Sequence, residues 1–532
     1  MEHNRKPSKL TFFFLQLVTL AVLLVACFQE KSVSTDSVDD KILPSAVTTQ
    51  APAVTTQAPA VVTQAPAVAT QAPAVTMQAP AVATQAPAVA TQAPAVATQA
   101  PAVATQAPAV ATQAPAVATQ APAVSTPLIQ IASPIFSQLK GYSEFNSELR
   151  YAFSTALTNE FNSIYEDKMG MSVAVYQNGK LWSMTEGMAT IDRPLYVETP
   201  FAVMSTSKTF LSALILSQIE EGLYKLNDRS SELLSGVPGF DSLDKNIIPD
   251  RSVEELLLHR SGLAERASKA PGSKEVMGMP NWRPVDTLKL VTDHAKTTGS
   301  FAYRNTNSQL LGMIAENQTG EDLNSLYQNK LLNPLSLQAG LRPHITTPTG
   351  FANPHALQSQ YSNTGGGFGD LTLNSEYVDA GLDFIQADAR LAWAGAGMVS
   401  TAENMARWGY ELYSENGQAI SDAVRSQLLN SFNGELVDFA GTLDEYEYGY
   451  HVSKQKHTLS NGSTIITYGH PGGGSGSASR LYYAPSLDVA VAVLANSEID
   501  KTSVGTCGDA RAGDYTNPME CFARDIFEEL SR

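Results

Sequence analysis

Ser205 and Lys208 are the first residues in this sequence whose types and spacing suit chemistry. They begin a strongly apolar run, which predicts a buried helix from Ser205 to Glu221. Residues three apart share one face of a helix, so the lysine amine would lie beside the serine hydroxyl. Burial disfavours the ammonium form, and a neutral amine can take the hydroxyl proton and make the serine a nucleophile. The alternative is a serine that caps the helix beside a solvated lysine.

The Ser-x-x-Lys pattern alone is not specific, because it recurs at residues 137–140, 242–245 and 453–456. Only the copy at Ser205 opens an apolar helix. The free N–H groups at the start of such a helix would also stabilise a negatively charged oxygen on a substrate. We therefore expect Ser205 to be the nucleophile.

Tyr303 and Asn305 form a second element, just before a predicted helix over Asn307–Glu316. A phenol next to a lysine ionises more easily and can pass a proton between nucleophile and leaving group. An amide can hold Lys208 and donate to a substrate carbonyl. Residues 361–363 repeat the Tyr-x-Asn pattern, but glycines and no predicted helix follow them, so we favour Tyr303.

A third element, His470-Pro471-Gly472-Gly473, follows a predicted strand over Thr464–Tyr468. The glycines would let a substrate backbone lie against an edge strand, and the Gly473 N–H would be a second oxyanion donor. His470 would bind a substrate carboxylate or take part in proton transfer. A glycine-rich turn with a surface histidine is the alternative.

The elements that must position these residues include both helices and strands. Asn178-Gly179 joins two strand-like runs as a hairpin. Strands at both ends with helices between them predict an α+β fold whose sheet brings the ends of the domain together. Further helices are predicted at Ser147–Ile164, Ala402–Tyr413 and Cys521–Leu530, and further strands at Met171–Val175, Lys180–Met184, Arg480–Tyr483 and Val489–Leu494.

A seven-residue repeat, Gln-Ala-Pro-Ala-Val-x-Thr, runs from Gln50 to about Ser125 without a charged residue. A proline costs about 3 kcal/mol in a helix interior, so a proline in every repeat excludes a coiled coil. We expect a disordered, partly polyproline-like stalk. The predicted domains are a signal peptide over 1–26, a lipid anchor and stalk over 27–133, and a folded domain over 134–532.

The N-terminus has the pattern of an export signal. A basic start precedes a short apolar run over Leu10–Ala26, which ends in Leu-Val-Ala before Cys27. This resembles the bacterial lipobox, in which the cysteine is diacylated, and the acyl chains would anchor Cys27 in a membrane. We expect a protein of the bacterial cell envelope that faces the periplasm, on the outer membrane because Phe28 and not Asp follows the cysteine. An uncleaved anchor and ordinary cleavage beside a passive cysteine are the alternatives.

The remaining composition limits cofactors and partners. With Cys27 lipidated, Cys507 and Cys521 are left as a pair, either bonded in an oxidising compartment or present as two buried thiols. The net charge of −17 repels phosphate backbones, which excludes nucleic acid as a partner. The eight histidines show no ligand spacing, so we expect no metal and no cofactor, and a small-molecule or peptide substrate. The oligomeric state stays open.

The three elements, in this order, resemble the serine β-lactamase and penicillin-binding protein superfamily, and most closely its class C β-lactamase-like branch. The resemblance implies that Ser205 is the acylated nucleophile and Lys208 its base partner. Tyr303 would be the general acid/base, and Asn305 would hold the substrate amide. The implied fold is an antiparallel sheet flanked by helices, with a helical lobe beside it and the site in the groove between them. The resemblance covers residues 145–530 and includes further stretches at 257–263, 333–337 and 395–401.

One position departs from the antibiotic-hydrolysing members, which carry Lys-Thr-Gly where this chain has His470-Pro471-Gly472. A neutral histidine favours a substrate carboxylate less than a lysine does, so we expect a poor β-lactamase. The His-x-Gly form resembles the esterase and peptidase members. We therefore expect a membrane-anchored serine hydrolase that cleaves an ester or amide bond through an acyl-Ser205 intermediate. The alternative is a penicillin-binding or sensor protein that is acylated without significant turnover.

Overall fold

A computed structural model describes residues 134–164, 170–190, 192–266, 271–353, 384–437, 446–474, 476–497, 506–507 and 517–532. The predicted signal peptide, Cys27, the repeat and the second Tyr-x-Asn pattern at 361–363 lie outside these residues. Within the ranges given, no helix combines the length and apolar character that a membrane crossing requires.

The strands form two antiparallel sheets. They are β1 (Gly170–Gln177), β2 (Lys180–Thr190), β3 (Arg193–Pro194), β4 (Phe201–Ala202), β5 (Ala339–Leu341), β6 (Met398–Ser400), β7 (Tyr446–Tyr448), β8 (Ser453–Thr458), β9 (Thr464–Gly474), β10 (Ser477–Ala484) and β11 (Val489–Ala495). Eight of them form one sheet in the order β3-β2-β1-β11-β10-β9-β8-β7, and β4, β6 and β5 form a small second sheet. Met171 of β1 lies opposite Ala495 of β11, so the last strand pairs with the first. The predicted closure of the sheet is confirmed.

The hairpin between β1 and β2 forms at the predicted turn. Asn178 and Gly179 have φ angles of 42° and 80°, and both therefore lie in the left-handed region. A two-residue turn of this kind matches the twist of the flanking strands, and asparagine and glycine adopt it at the lowest cost.

Helices cover both faces of the large sheet. On one face, Phe522 of the last helix stacks on Trp182 of β2, with the ring centroids 6.3 Å apart. The other face is covered by the helix over Ala402–Tyr413, which packs on β1 and β11, and by a helical lobe. The helices are α1 (Ser147–Ser163), α2 (Lys208–Glu220), α3 (Ser230–Leu233), α4 (Val253–Leu257), α5 (Ser273–Gly278), α6 (Pro284–Leu288), α7 (Asn305–Thr319), α8 (Leu323–Tyr327), α9 (Phe384–Ala396), α10 (Ala402–Tyr413), α11 (Asp422–Leu429) and α12 (Pro518–Ser531).

The sheet flanked by helices confirms the predicted α+β class. Helix α10 has the predicted bounds. It begins after Thr401, whose side chain caps it by accepting a hydrogen bond from the backbone N–H of Asn404. Cys507 and Cys521 are joined by a disulfide, which ties the segment before α12 to that helix.

The predicted helix from Ser205 to Glu221 is wrong at its start. Met204–Ser207 form a separate 3-10 turn, and the α-helix begins only at Lys208. The Ser207 hydroxyl donates to the Met204 carbonyl at 2.5 Å and accepts from the Met398 N–H at 3.0 Å. These bonds tie the turn to β6, so a tertiary contact replaces the regular helical start.

Candidate active site

Ser205 lies in the 3-10 turn between β4 and α2, and it is half-buried. Met204, directly before it, has a φ of 47°, a left-handed conformation that side chains rarely adopt and that costs energy. The turn is held against the large sheet because the Thr206 hydroxyl donates to the His470 carbonyl at 3.0 Å. The turn is therefore a fixed support for the Ser205 hydroxyl.

Lys208 is fully buried, and its amine lies at the centre of the site. Its Nζ donates to Asn305 Oδ1 at 2.8 Å and to the Gly395 carbonyl at 2.8 Å, and it lies 3.5 Å from Ser205 Oγ. Burial lowers the pKa of the amine from 10.5 to about 7, and the charge of Glu265 opposes this shift. A neutral amine has two hydrogens and one lone pair. Because two acceptors take the hydrogens, the lone pair is left for the Ser205 proton.

Tyr303 lies next to both residues. Its hydroxyl faces Ser205, and the Lys208 Nζ lies 4.7 Å from the centre of its ring. Burial raises the pKa of the phenol well above its usual range. The expectation that the neighbouring lysine makes this phenol ionise easily is therefore wrong for the resting site, because the desolvation effect is larger. The phenol rests in its neutral form, as a proton donor.

Asn305 is the first residue of α7, and its side chain holds the lysine amine as predicted from the pattern. Its backbone N–H donates to Glu265 Oε2. The sequence analysis missed Glu265, which lies two residues after the 257–263 stretch and shows no spacing of its own. Burial raises the pKa of this carboxyl, whereas Arg266, the Asn305 N–H and Lys208 lower it. The negative charge of Glu265 therefore stabilises the ammonium form of Lys208, for which the sequence analysis named no acidic neighbour.

His470 is only 1% exposed. Its Nδ1 lies against the Pro471 carbonyl, which can only accept, so Nδ1 carries the hydrogen and Nε2 accepts from the Tyr448 hydroxyl at 2.9 Å. Burial and the charge of Lys208 lower the pKa of the ring well below its usual range. The alternative of a surface histidine is therefore wrong. The ring is a buried, neutral imidazole with both nitrogens engaged, so it offers no positive charge to a substrate carboxylate.

Gly472 and Gly473 continue β9 past Ser205. A Cβ on Gly472 would lie 2.3 Å from Ser479 Oγ and 3.0 Å from the Ser205 nitrogen, so only glycine allows this close approach. Gly473, the next residue, is exposed.

The second half of β9 lies at an edge of the sheet, as predicted for the strand beside the glycines. β8 pairs with β9 only from Thr464 to Gly469, and no described strand covers residues 470–474 on that side. This free stretch of strand leaves room for an extended substrate beside Ser205.

The other Ser-x-x-Lys copies differ in their surroundings. Ser137 and Ser242 are exposed, as are the lysines that follow them. Ser453 and Lys456 lie on β8, where residues three apart point to opposite faces of the sheet. Of the four copies, all of which the structure describes, the one at Ser205 alone has a buried lysine beside its serine.

Metal ligands do not gather in the part of the chain that the structure describes. There, no group of three or more His, Cys, Asp and Glu side chains is placed to hold a metal ion.

A serine beside a buried lysine and a phenol, in a turn between an antiparallel sheet and a helical lobe, defines a hydrolase that attacks through serine. Residues 161–513, well over half of the chain, match the Beta-lactamase family model. This protein belongs to the beta-lactamase family, which confirms the resemblance drawn from the three elements.

Relatives and solved structures agree with this assignment. Penicillin-binding protein 4 of Amycolatopsis lactamdurans is 24% identical over 334 residues, which are 62% of this chain and 81% of that protein. Teichoic acid D-alanine hydrolase of Staphylococcus aureus (strain MRSA252) is 25% identical over 297 residues, 55% of this chain and 64% of that protein. The solved structure of the D-amino acid amidase of Ochrobactrum anthropi SV3 shares the fold, with a TM-score of 0.55 and 18% sequence identity. The match covers 73% of this chain and 100% of that chain.

Proposed function

We propose that this protein hydrolyses an ester or amide bond through an acyl-enzyme on Ser205. The observation that carries the proposal is the placement of the Lys208 amine, whose hydrogens are directed to Asn305 and Gly395 while its remaining side faces the Ser205 hydroxyl. Its pKa of about 7 leaves a large neutral fraction at neutral pH. Such an amine is a competent base for a serine nucleophile.

The proposed reaction balances with the groups at hand. Lys208 takes the hydroxyl proton as Ser205 Oγ bonds to the substrate carbonyl carbon, and the carbonyl oxygen becomes an oxyanion. The N–H groups of Ser205 and Gly473 stabilise this charge. The bond to the leaving group then breaks as the Tyr303 phenol gives its proton to the leaving oxygen or nitrogen. The neighbouring Lys208 ammonium passes the proton that it took from Ser205 to Tyr303, so both groups are neutral again. Water then attacks the acyl carbon and gives one proton to Lys208. As the ester bond breaks, that proton returns to Ser205 Oγ, which releases the acid and restores the site.

D-aminoacyl esters and amides are the substrate class that we propose. One relative is named for hydrolysing D-alanine from teichoic acid, and a solved neighbour is a D-amino acid amidase. The neutral, buried His470 supplies no positive charge for the carboxylate of a β-lactam. Both arguments favour esterase or amidase activity over antibiotic hydrolysis.

The location of the protein is a further part of the proposal. A diacylated Cys27 would hold the chain on a bacterial membrane, which we propose to be the outer one, facing the periplasm. The stalk over 27–133 would let the catalytic domain over 134–532 reach substrates away from that membrane. Radiolabelled palmitate should label the wild-type chain and not Cys27→Ser.

Active-site labelling and turnover test the catalytic proposal. A fluorophosphonate should label the wild-type protein at Ser205, and chromogenic D-alanyl esters and amides should turn over steadily. Ser205→Ala should lose labelling and at least about 10³-fold in kcat, whereas the matched variants Ser137→Ala, Ser242→Ala and Ser453→Ala keep both. Label mapped to another serine contradicts the assignment. Stoichiometric acylation by a fluorescent penicillin without turnover of any substrate supports the sensor alternative.

A further inference from the structure

Two histidines lie stacked behind Tyr303, outside the set of residues that the proposed reaction uses. The ring of His259 lies 4.5 Å from that of Tyr303, at an interplanar angle of 28°. On its other side the ring of His451 lies 4.5 Å away and nearly parallel, at 8°. Both histidines are fully buried. The three rings form a column that ends at the phenol beside Ser205.

His259 also binds the backbone around Tyr303. Its Nδ1 accepts a hydrogen bond from the Arg304 N–H at 3.1 Å, and its carbonyl accepts from the Ala302 N–H at 2.8 Å. It therefore holds Tyr303 by its ring and by the peptide groups on both sides. Arg304 stands between Tyr303 and Asn305, so the same bond orients both members of the Tyr-x-Asn element.

The hydrogen bonds define the form of the His259 ring. Nδ1 also lies 2.9 Å from Asn307 Nδ2, a donor nitrogen because it donates to the Arg304 carbonyl as well. With two donors aimed at it, Nδ1 carries a lone pair, and the ring is neutral with its hydrogen on Nε2. Burial and the nearby groups His451, Lys208, His470 and Arg304 lower its pKa well below the usual range.

His451 supports the column with a different pattern. Its Nδ1 donates to the Leu257 carbonyl at 2.8 Å, and its Nε2 accepts from the Ser308 hydroxyl at 2.9 Å. Both nitrogens are therefore satisfied, and the ring is a fixed neutral surface for His259 to lie on.

The arrangement is costly for the fold. His259 and His451 both have left-handed backbones, with φ angles of 53° and 55°. In addition, the buried Nε2 of His259 has no hydrogen-bond partner among the described residues. Strain and unsatisfied polar atoms persist where the surrounding structure holds them in place, and they concentrate at functional sites.

We infer that His259 is a positioning residue, which holds the Tyr303 phenol and the Asn305 amide in register with Ser205, and that His451 is its support. The inference rests on the proposed role of Tyr303 in proton transfer. The position requires a hydrogen-bond acceptor for the Arg304 N–H and an aromatic face that stacks on the phenol, and a neutral histidine supplies both.

A matched pair of variants tests the inference. His259→Gly removes the side chain at a φ that glycine adopts freely, and His259→Asn keeps an acceptor at the place of Nδ1 and tolerates the same φ. We expect His259→Gly to lower the rate of Ser205 acylation about 100-fold, as small misplacements of a reacting group do. KM should stay nearly constant and His259→Asn should recover part of the loss.

A double-mutant cycle separates positioning from a general loss of structure. In a Tyr303→Phe background, the His259 variants should lower the acylation rate by about tenfold or less, because the phenol is gone and only the effect through Asn305 remains. If the His259 variants lower the acylation rate equally in the wild-type and Tyr303→Phe backgrounds, the inference is overturned. It is also overturned if His259→Gly folds normally and is acylated at the wild-type rate. If His259→Gly does not fold, the same comparison with His259→Asn decides.

Results other than those of the His259 variants test the proposed reaction itself. Two results would overturn the proposed reaction, and the role of His259 with it. One is a wild-type protein that is not acylated at Ser205. The other is a Tyr303→Phe variant that reacts as fast as the wild type. Normal labelling together with a slow Tyr303→Phe variant leaves the reaction in place, and only the His259 variants then decide.

Discussion

The Lys208 amine lies 3.5 Å from the Ser205 hydroxyl and 2.8 Å from the Asn305 side-chain oxygen. Asn305 takes one hydrogen of the amine, and the Gly395 carbonyl takes another. The remaining lone pair faces the serine only while the amine is neutral. In the proposed reaction, the protonation state of Lys208 therefore decides whether Ser205 can be activated.

The first prediction concerns the pH dependence of acylation. Because the pKa of Lys208 is lowered to about 7, kcat/KM for an uncharged ester should rise as the pH increases through about 7 and then level off. A pH–rate profile between about pH 5 and pH 9 measures this. A rate that falls as the pH rises through 7 contradicts the assignment of Lys208 as the base, and Lys208→Arg, which stays charged, should be inactive throughout.

The second prediction concerns Glu265, whose negative charge raises the pKa of Lys208. Glu265→Gln keeps an acceptor for the Asn305 N–H and removes the charge. The rise in kcat/KM should therefore move to lower pH than in the wild type. An unchanged or upward-shifted profile in a variant with normal melting temperature shows that this carboxyl does not tune the lysine.

The third prediction concerns the close approach of β9 to the 3-10 turn that holds Ser205. Gly472→Ala places a methyl group 2.7 Å from the Val203 carbonyl and 3.0 Å from the Ser205 nitrogen, so the strand must move. We expect kcat/KM to fall about 100-fold. Gly462→Asn is the control, because it lies in an open left-handed position in the turn between β8 and β9 and should keep full activity. Equal activity of both variants argues against a tight site.

The fourth prediction concerns the disulfide between Cys507 and Cys521, which are 14 positions apart in the sequence. Closing a loop of this length restricts the unfolded chain and stabilises the folded one by about 3 kcal/mol. Cys507→Ser with Cys521→Ser should lower the free energy of unfolding by that amount in urea titrations. Acylation of Ser205 should be unchanged in the folded variant, since the bond lies at α12. A variant as stable as the wild type contradicts the prediction.

Local sequence accounts for much of this molecule. The apolar run after Lys208 predicts a buried helix, and the Asn178-Gly179 pair predicts a hairpin, because hydrophobic periodicity and turn preferences act over a few residues. The order of Ser205, Lys208, Tyr303 and Asn305 identified the family. These features need no knowledge of distant parts of the chain.

Tertiary structure decided how the site is tuned. Glu265 and His451 follow no spacing pattern, and His259 lies in the 257–263 stretch with no role that the sequence assigns to it. The three reach Lys208 and Tyr303 only because packing brings distant segments together. Burial determines that Lys208 titrates near neutral pH, that Tyr303 stays protonated and that His470 is neutral. Residue types and their order are written in the sequence, whereas desolvation and the charges of neighbours depend on the folded surroundings.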